Sequence, residues 1–81
     1  MAAKRSIYLK HFGEHLKGLR EKKNLTQFDL ASIVGKDRQS IQRVEAGNIN
    51  PTIYYLYELS EGLQMPLKEI VDFKLPEKKK K

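Results

Sequence analysis

Four side chains within one short segment of this chain could hydrogen-bond the edges of planar groups such as nucleic-acid bases. They are Arg38, Gln39, Gln42 and Arg43. On a helix that turns about 100° per residue, the last three project from one side, and Arg38 lies in the first turn. Arginine can bond guanine, and glutamine can bond adenine, through two hydrogen bonds in the major groove of DNA. Because these residue types are also common on solvated helices, their interpretation depends on the elements that position them.

The other side of this segment is suited to packing inward. Ile41 and Val44 are three residues apart, and Glu45 shares their side. An apolar pair with this spacing is typical of a helix with one buried face. The segment therefore predicts a helix from Arg38 to Ala46.

The preceding residues predict a second short helix and a tight turn. Thr26, followed three residues later by Asp29, forms a capping box in which each side chain can bond a free backbone N–H. This helix should end just before Gly35, which lacks a Cβ and suits a C-terminal cap. Asp37 can cap the next helix and leaves a turn of about three residues, so a helix-turn-helix is expected over about residues 26–46.

With this turn, the chain resembles the Cro/repressor-type (XRE) helix-turn-helix family. The resemblance covers roughly Phe12 to Ile70, and the matching residues are Leu19-Arg20, Leu25-Thr26-Gln27, Leu30-Ala31, Gly35, Ser40-Ile41, Val44-Glu45, Gly47, Pro51 and Leu63. Lys36 and Phe28 depart from the family pattern, which usually has a small apolar residue and a polar residue there. The resemblance implies an all-α, compact five-helix lambda-repressor-like domain whose third helix enters the major groove.

The resemblance also implies roles for individual residues. Arg38, Gln39, Gln42 and Arg43 are expected to read bases. The residues expected to contact the DNA backbone are Lys17, Gln27, Lys36, Ser40, Asn48 and Asn50. For the two asparagines a local role in the loop is an equal alternative, because Asn often bonds nearby backbone groups. Arg20 and Glu45 are expected to form a largely buried ion pair between the first and third helices.

The chain divides into an N-terminal arm, one domain and a tail. We expect a flexible arm over residues 1–8, the helix-turn-helix domain over residues 9–74, and a basic tail over residues 75–81. The first helix should run from near Leu9 to near Lys23. Its apolar stripe is formed by Phe12, Leu16 and Leu19, at spacings of four and three residues.

Two further helices are predicted after the helix-turn-helix. Thr52 can cap a fourth helix that ends near Gly62. Its expected core face consists of Ile53, Leu56, Leu59 and Leu63. Pro66 suits the first position of a short fifth helix from Leu67 to about Phe73, because that position needs no N–H.

Charge is unevenly distributed along the chain, whose formal net charge is +6. Residues 1–25 contain seven Lys or Arg against two Glu, whereas residues 51–75 contain two Lys against four acidic residues. This asymmetry suggests one face for a polyanion and another for a different partner. The terminal run Lys78 to Lys81 would add non-specific attraction to phosphates.

Several functional classes lack support in the sequence. There is no Cys and no apolar run long enough to span a bilayer, and the N-terminus lacks a signal-peptide pattern, so a cytoplasmic protein without a membrane partner is expected. His11 and His15 could share a metal only with further ligands that the chain does not supply, and we expect no metal site. No catalytic triad or Gly-rich phosphate loop is apparent. We therefore expect no enzyme activity and no cofactor.

The aromatic residues near the C-terminus exceed what one inner helix face needs. We expect Tyr54, Tyr57 and Phe73 to form a dimer contact, since Tyr is enriched in protein interfaces and the family commonly dimerises through this end.

Together these features predict a sequence-specific regulator of transcription that binds double-stranded DNA. It would be a repressor that acts as a homodimer on a palindromic operator. Two alternatives remain open. One is an antitoxin that also represses its own operon and has a toxin as its protein partner. The other is a protein-interaction module that uses helices 4 and 5 and does not read DNA.

Overall fold

The structure of the protein, a computed structural model, describes residues 2–76 and contains five helices. They are α1 Ala2–Lys22, α2 Gln27–Val34, α3 Arg38–Glu45, α4 Ile53–Leu63 and α5 Leu67–Ile70. Residues 2–76 contain no strand, and the predicted all-α, five-helix class is confirmed. The predicted basic run at Lys78 to Lys81 lies outside the described residues.

Helix α1 begins earlier than predicted. The flexible arm expected over residues 1–8 is wrong for residues 2–8, because the helix is continuous from Ala2, while residue 1 lies outside the described part of the chain. Alanine has the highest helix propensity, and no Gly or Pro precedes Gly13. The ring of Tyr8 also packs edge-on against Phe73, with ring centroids 5.1 Å apart. This tertiary contact supports the extra turns.

The core is formed by residues from all five helices. Its buried members are Phe12, Leu16, Leu30, Ala31, Ile41, Val44, Leu59, Leu63 and Ile70. Burying one large aliphatic or aromatic side chain contributes about 1.5–3 kcal/mol, so these contacts decide how the short helices are arranged. The stripe predicted on α1 is confirmed at Phe12 and Leu16, while Leu19 is half-buried against the core.

Helix α4 follows its predicted face except at its first residue. Leu56, Leu59 and Leu63 pack inward, but Ile53 is 69% exposed, so its placement in the core was wrong. At 3.6 residues per turn, Ile53 lies about 120° around the helix from Leu59, which removes it from the buried side.

Helix α5 is shorter than predicted. It ends at Ile70 instead of Phe73, and Pro66 is its N-cap instead of its first helical residue. Because the chain leaves the helix after Ile70, Phe73 can return to α1. Its ring lies 5.8 Å from that of Phe12 and stacks on His15 at 5.7 Å.

Candidate nucleic-acid interface

The caps predicted around the turn of the helix-turn-helix are all present. The Thr26 hydroxyl accepts a bond from the Asp29 N–H at 3.0 Å, and the Thr26 N–H donates to the Asp29 carboxylate at 2.9 Å. This second bond lowers the pKa of Asp29 from its usual value. Gly35 has a φ of 72°, which suits glycine, and Asp37 accepts a bond from the Ser40 N–H at 2.9 Å. The turn is therefore fixed by local bonds.

Helix α3 has the two faces that the sequence predicts. Ile41, Val44 and Glu45 are buried. The side chains on its exposed side are Arg38, Gln39, Gln42 and Arg43. The helix ends at Glu45, with Ala46 as its C-cap. Four hydrogen-bonding side chains are thus presented together on a helix whose opposite side is fixed in the core.

The predicted ion pair joins α1 to α3. Arg20 Nε lies 2.7 Å from Glu45 Oε2, and Arg20 Nη2 lies 2.9 Å from Glu45 Oε1. Arg20 Nη1 also donates to the Leu25 carbonyl at 2.8 Å. Both charged side chains are buried, and the bonds to Glu45 raise the pKa of Arg20 above its usual value although burial opposes this. The two-point geometry holds the end of α3 against α1.

Gln27 connects this buried pair to the exposed side of α3. Its Nε2 donates to Glu45 Oε1 at 2.9 Å, and its Oε1 accepts from Arg38 Nη1 at 3.1 Å. The amide group of Gln27 is thus engaged on both sides, whereas the sequence predicted that it would contact the DNA backbone. Sequence reasoning missed this connection because Gln27 begins α2 while Arg38 and Glu45 lie at opposite ends of α3, and no local spacing relates Gln27 to either of them.

Two other residues predicted to contact the DNA backbone are engaged with α4. Lys36 Nζ lies 2.7 Å from Glu58 Oε1 and 4.6 Å from the centroid of the Tyr55 ring. Ser40 Oγ is hydrogen-bonded to the Tyr55 hydroxyl at 2.7 Å. Burial raises the pKa of the Tyr55 phenol, although the bond to Ser40 and the charge of Lys36 oppose this. The structure therefore places Lys36 and Ser40 between the turn and α4.

The remaining predicted backbone contacts lie in three places. Lys17 is exposed on α1. Asn48 is exposed and borders a cleft next to Arg5. Asn50 is exposed at the edge of a different, more apolar cleft that Pro51 and other residues line. The two asparagines of the loop therefore border different clefts.

The aromatic residues predicted to form a dimer contact do not lie together. Tyr54 and Tyr57 are 64% and 47% exposed, and their ring centroids are 5.8 Å apart. They border an open cleft of about 320 Å³ that Ile33 and Gly62 also line. Phe73 instead packs on α1, because the shorter α5 lets the chain turn back there.

His15 of α1 has a structural role. His15 Nε2 donates to the Glu69 carbonyl oxygen at 2.8 Å and thereby joins α1 to the end of α5. Within residues 2–76 no three His, Asp or Glu side chains are grouped so that they could hold a metal ion. In the same part of the chain, no helix is both long and apolar enough to cross a membrane.

The fold and the exposed α3 define a helix-turn-helix DNA-binding domain. A helix-turn-helix family model, HTH_3, matches residues 16–70. The chain belongs to this family, whose members are of the Cro/C1 (XRE) type.

Relatives found by sequence are regulators of the same class. The chain is 38% identical over 66 residues to an HTH-type transcriptional regulatory protein of Methanocella arvoryzae, covering 82% of this chain and 20% of the relative. It is 36% identical over 59 residues to an HTH-type transcriptional regulator of Sinorhizobium fredii, covering 73% of this chain and 77% of the relative. The chain thus spans about a fifth of the length of the Methanocella relative.

Solved structures with the same fold include controllers of restriction-modification systems. C.AhdI of Aeromonas hydrophila has a TM-score of 0.75 and 34% identity, over 76% of this chain and 90% of the controller. C.Esp1396I, solved as a tetramer with its natural 35 base-pair operator, has a TM-score of 0.70 and 31% identity, over 83% of this chain and 99% of the controller.

Proposed function

We propose that the protein regulates transcription by binding duplex DNA sequence-specifically, as a dimer on an operator with two half-sites. The observation that carries this proposal is the exposure of Arg38, Gln39, Gln42 and Arg43 on a helix held from behind by the core and by a buried ion pair. In the helix-turn-helix docking mode, such a helix lies in the major groove. Repression follows where the operator overlaps a promoter.

The phosphate contacts in this proposal centre on Lys17 and Asn48, with Asn50 at the far side of the loop. All three are exposed. Lys36 and Ser40 are weaker candidates, because their side chains already bond Glu58 and Tyr55. We assign Gln27 to holding Arg38, since its amide bonds both Glu45 and Arg38.

Selection of bound duplexes from a random DNA pool tests this function. We expect enrichment of an inverted repeat whose half-site centres lie about 34–36 Å apart, which is one turn of the duplex. A quadruple variant with alanine at Arg38, Gln39, Gln42 and Arg43 is the matched control and should enrich nothing. If the folded wild-type protein also enriches no motif, the proposal is wrong and the protein-interaction alternative is favoured.

The dimer surface is best assigned to the cleft beside Tyr54 and Tyr57. Ile33 adds a third apolar side chain that is 53% exposed, and with Tyr54 and Tyr57 it forms the apolar part of a patch where α2 contacts α4, which Glu58 and Glu61 also line. Such patches on small domains are commonly interaction surfaces. The tetramer of C.Esp1396I on its operator is consistent with assembly of two or more copies.

Sedimentation tests this assignment. The wild-type protein should sediment as a dimer at micromolar concentration or on DNA. Tyr54→Asp should shift the equilibrium toward monomer, because dimer formation would bury the new carboxylate without a partner. Leu75→Asp is the matched control, since Leu75 is 44% exposed and does not line this cleft. A monomer that binds one half-site with full affinity would contradict dimer formation, and equal effects of the two variants would contradict the surface.

A further inference from the structure

The cleft that Asn48 borders, between α1 and the loop after α3, also contains residues of α1 to which no role has been assigned so far. It has a volume of about 300 Å³, and its walls are formed by one turn of α1 and by the residues that follow α3, the proposed recognition helix. The lining residues are Arg5, Ser6, Leu9, Gly47, Asn48 and Ile49. The sequence placed residues 1–8 in a flexible arm, so the cleft exists only because α1 extends to Ala2.

Close backbone contacts fix the two walls of this cleft. A Cβ on Gly47, whose φ is 79°, would lie 2.7 Å from Lys10 Cα, so the loop and α1 touch through their backbones. A Cβ on Gly13 would overlap the Glu45 carbonyl oxygen, so α1 also approaches the end of α3 through its backbone. The N-terminal half of α1 is therefore held in a set position relative to the recognition helix.

The chemistry of the cleft suits a phosphate group. Arg5 brings a guanidinium, Ser6 a hydroxyl and Asn48 an amide, which are donors commonly used for the DNA backbone. Within the described residues none of these three side chains has a hydrogen bond or an ion pair to another part of the protein. Residues 2–13 include Lys4, Arg5 and Lys10 but no acidic residue. No carboxylate on this half of α1 therefore competes with a phosphate for Arg5.

We propose that this cleft holds a backbone phosphate of the duplex just outside the bases that α3 reads. This inference rests on the proposed function, because Asn48 belongs both to the cleft and to the loop that follows the recognition helix. Arg5 is the principal contact, with Ser6 and Asn48 completing the donor set. The helical start of α1 thereby extends the DNA footprint without adding sequence information.

Binding of Arg5→Ala to the selected operator and to a random duplex tests the inference. We expect both affinities to fall by a similar factor, roughly 3–10-fold, and the slope of log K against log salt to become shallower by about 0.9, the contribution of one phosphate. Arg5→Lys should retain the slope. Ethylation of one phosphate that flanks each half-site should interfere with binding of the wild-type protein but not with binding of Arg5→Ala. Lys68→Ala, which removes the same charge from an exposed position on α5, is the matched control and should change none of these.

The possible results separate the two proposals. If the wild-type protein binds the operator and Arg5→Ala matches Lys68→Ala in affinity, salt slope and ethylation pattern, the cleft does not hold a phosphate while the proposed function stands. If Arg5→Ala changes preference among bases without changing the salt slope, the inference is also wrong. A wild-type protein that binds no duplex would overturn the proposed function and this inference with it.

Discussion

Replacing either Arg20 or Glu45 with alanine should lower the free energy of unfolding by about 3–5 kcal/mol, which is a large fraction of the stability of a small domain. The reason is burial. Each side chain is almost fully removed from solvent, with 8% of Arg20 and 4% of Glu45 exposed, so removing one partner leaves an uncompensated charge inside the protein. Glu45 also accepts the bond from Gln27, and Arg20 also donates to the Leu25 carbonyl.

Urea unfolding of the two single variants and the double variant measures this effect. The double variant should lose less than the sum of the singles, because it leaves neither charge unpaired. Glu58→Ala is the matched control. It removes one carboxylate from the Lys36–Glu58 pair, whose side chains are 21% and 28% exposed, and should cost about 0–1 kcal/mol. Additive losses below 1 kcal/mol for Arg20 and Glu45 would contradict a stabilising buried pair.

The helix-turn-helix could be predicted because its determinants are local. The capping box at Thr26, the glycine at Gly35 and the N-cap at Asp37 each depend on residues no more than four apart, and all are present. The two faces of α3 follow from helical spacing alone. The Arg20–Glu45 pair is not local, and only the resemblance to the family indicated it.

The sequence-based predictions that were wrong depend on contacts between segments far apart in the chain. The start of α1 depends on Tyr8 meeting Phe73, which lies 65 residues later in the numbering of the sequence. Phe73 itself reaches α1 only because α5 ends at Ile70. Lys36 and Ser40 were predicted to be available for DNA because no residue near them in the sequence indicates that Tyr55 and Glu58 contact them. Local patterns predicted which elements form, but not which exposed side chains another element would engage.

The position of Gln27 bears on how the exposed residues of α3 would read DNA. Its amide is oriented by Glu45, because Nε2 donates to that carboxylate and Oε1 is left to accept from Arg38. Arg38 is therefore partly positioned before DNA arrives, which reduces the entropy lost on binding. Gln39, Gln42 and Arg43 have no such partner within the described residues. If Arg38 contacts a base as proposed, Gln27→Ala should weaken discrimination at that base pair, with little effect elsewhere.

Alanine substitutions on α3 should change sequence preference in a way that substitutions at phosphate contacts do not. If Arg38 or Arg43 forms two hydrogen bonds with a guanine, its replacement by alanine should weaken the free energy of binding to the selected operator by about 1–3 kcal/mol. Discrimination should be lost mainly at the contacted base pair. Gln39→Ala should relax preference at one position, where we expect an adenine. Affinities for the operator and for every single-base variant of it would map these losses.

Lys17→Ala is the control for this prediction, because an exposed lysine on α1 that contacts a phosphate reads no base. It should weaken binding to all duplexes alike and make the salt slope shallower by about 0.9, since fewer counterions are released. The two kinds of variant should therefore separate in a plot of specificity against salt dependence. If Arg38, Gln39, Gln42 and Arg43 can all be replaced by alanine while the operator keeps its advantage over random DNA, then α3 is not the element that reads the sequence.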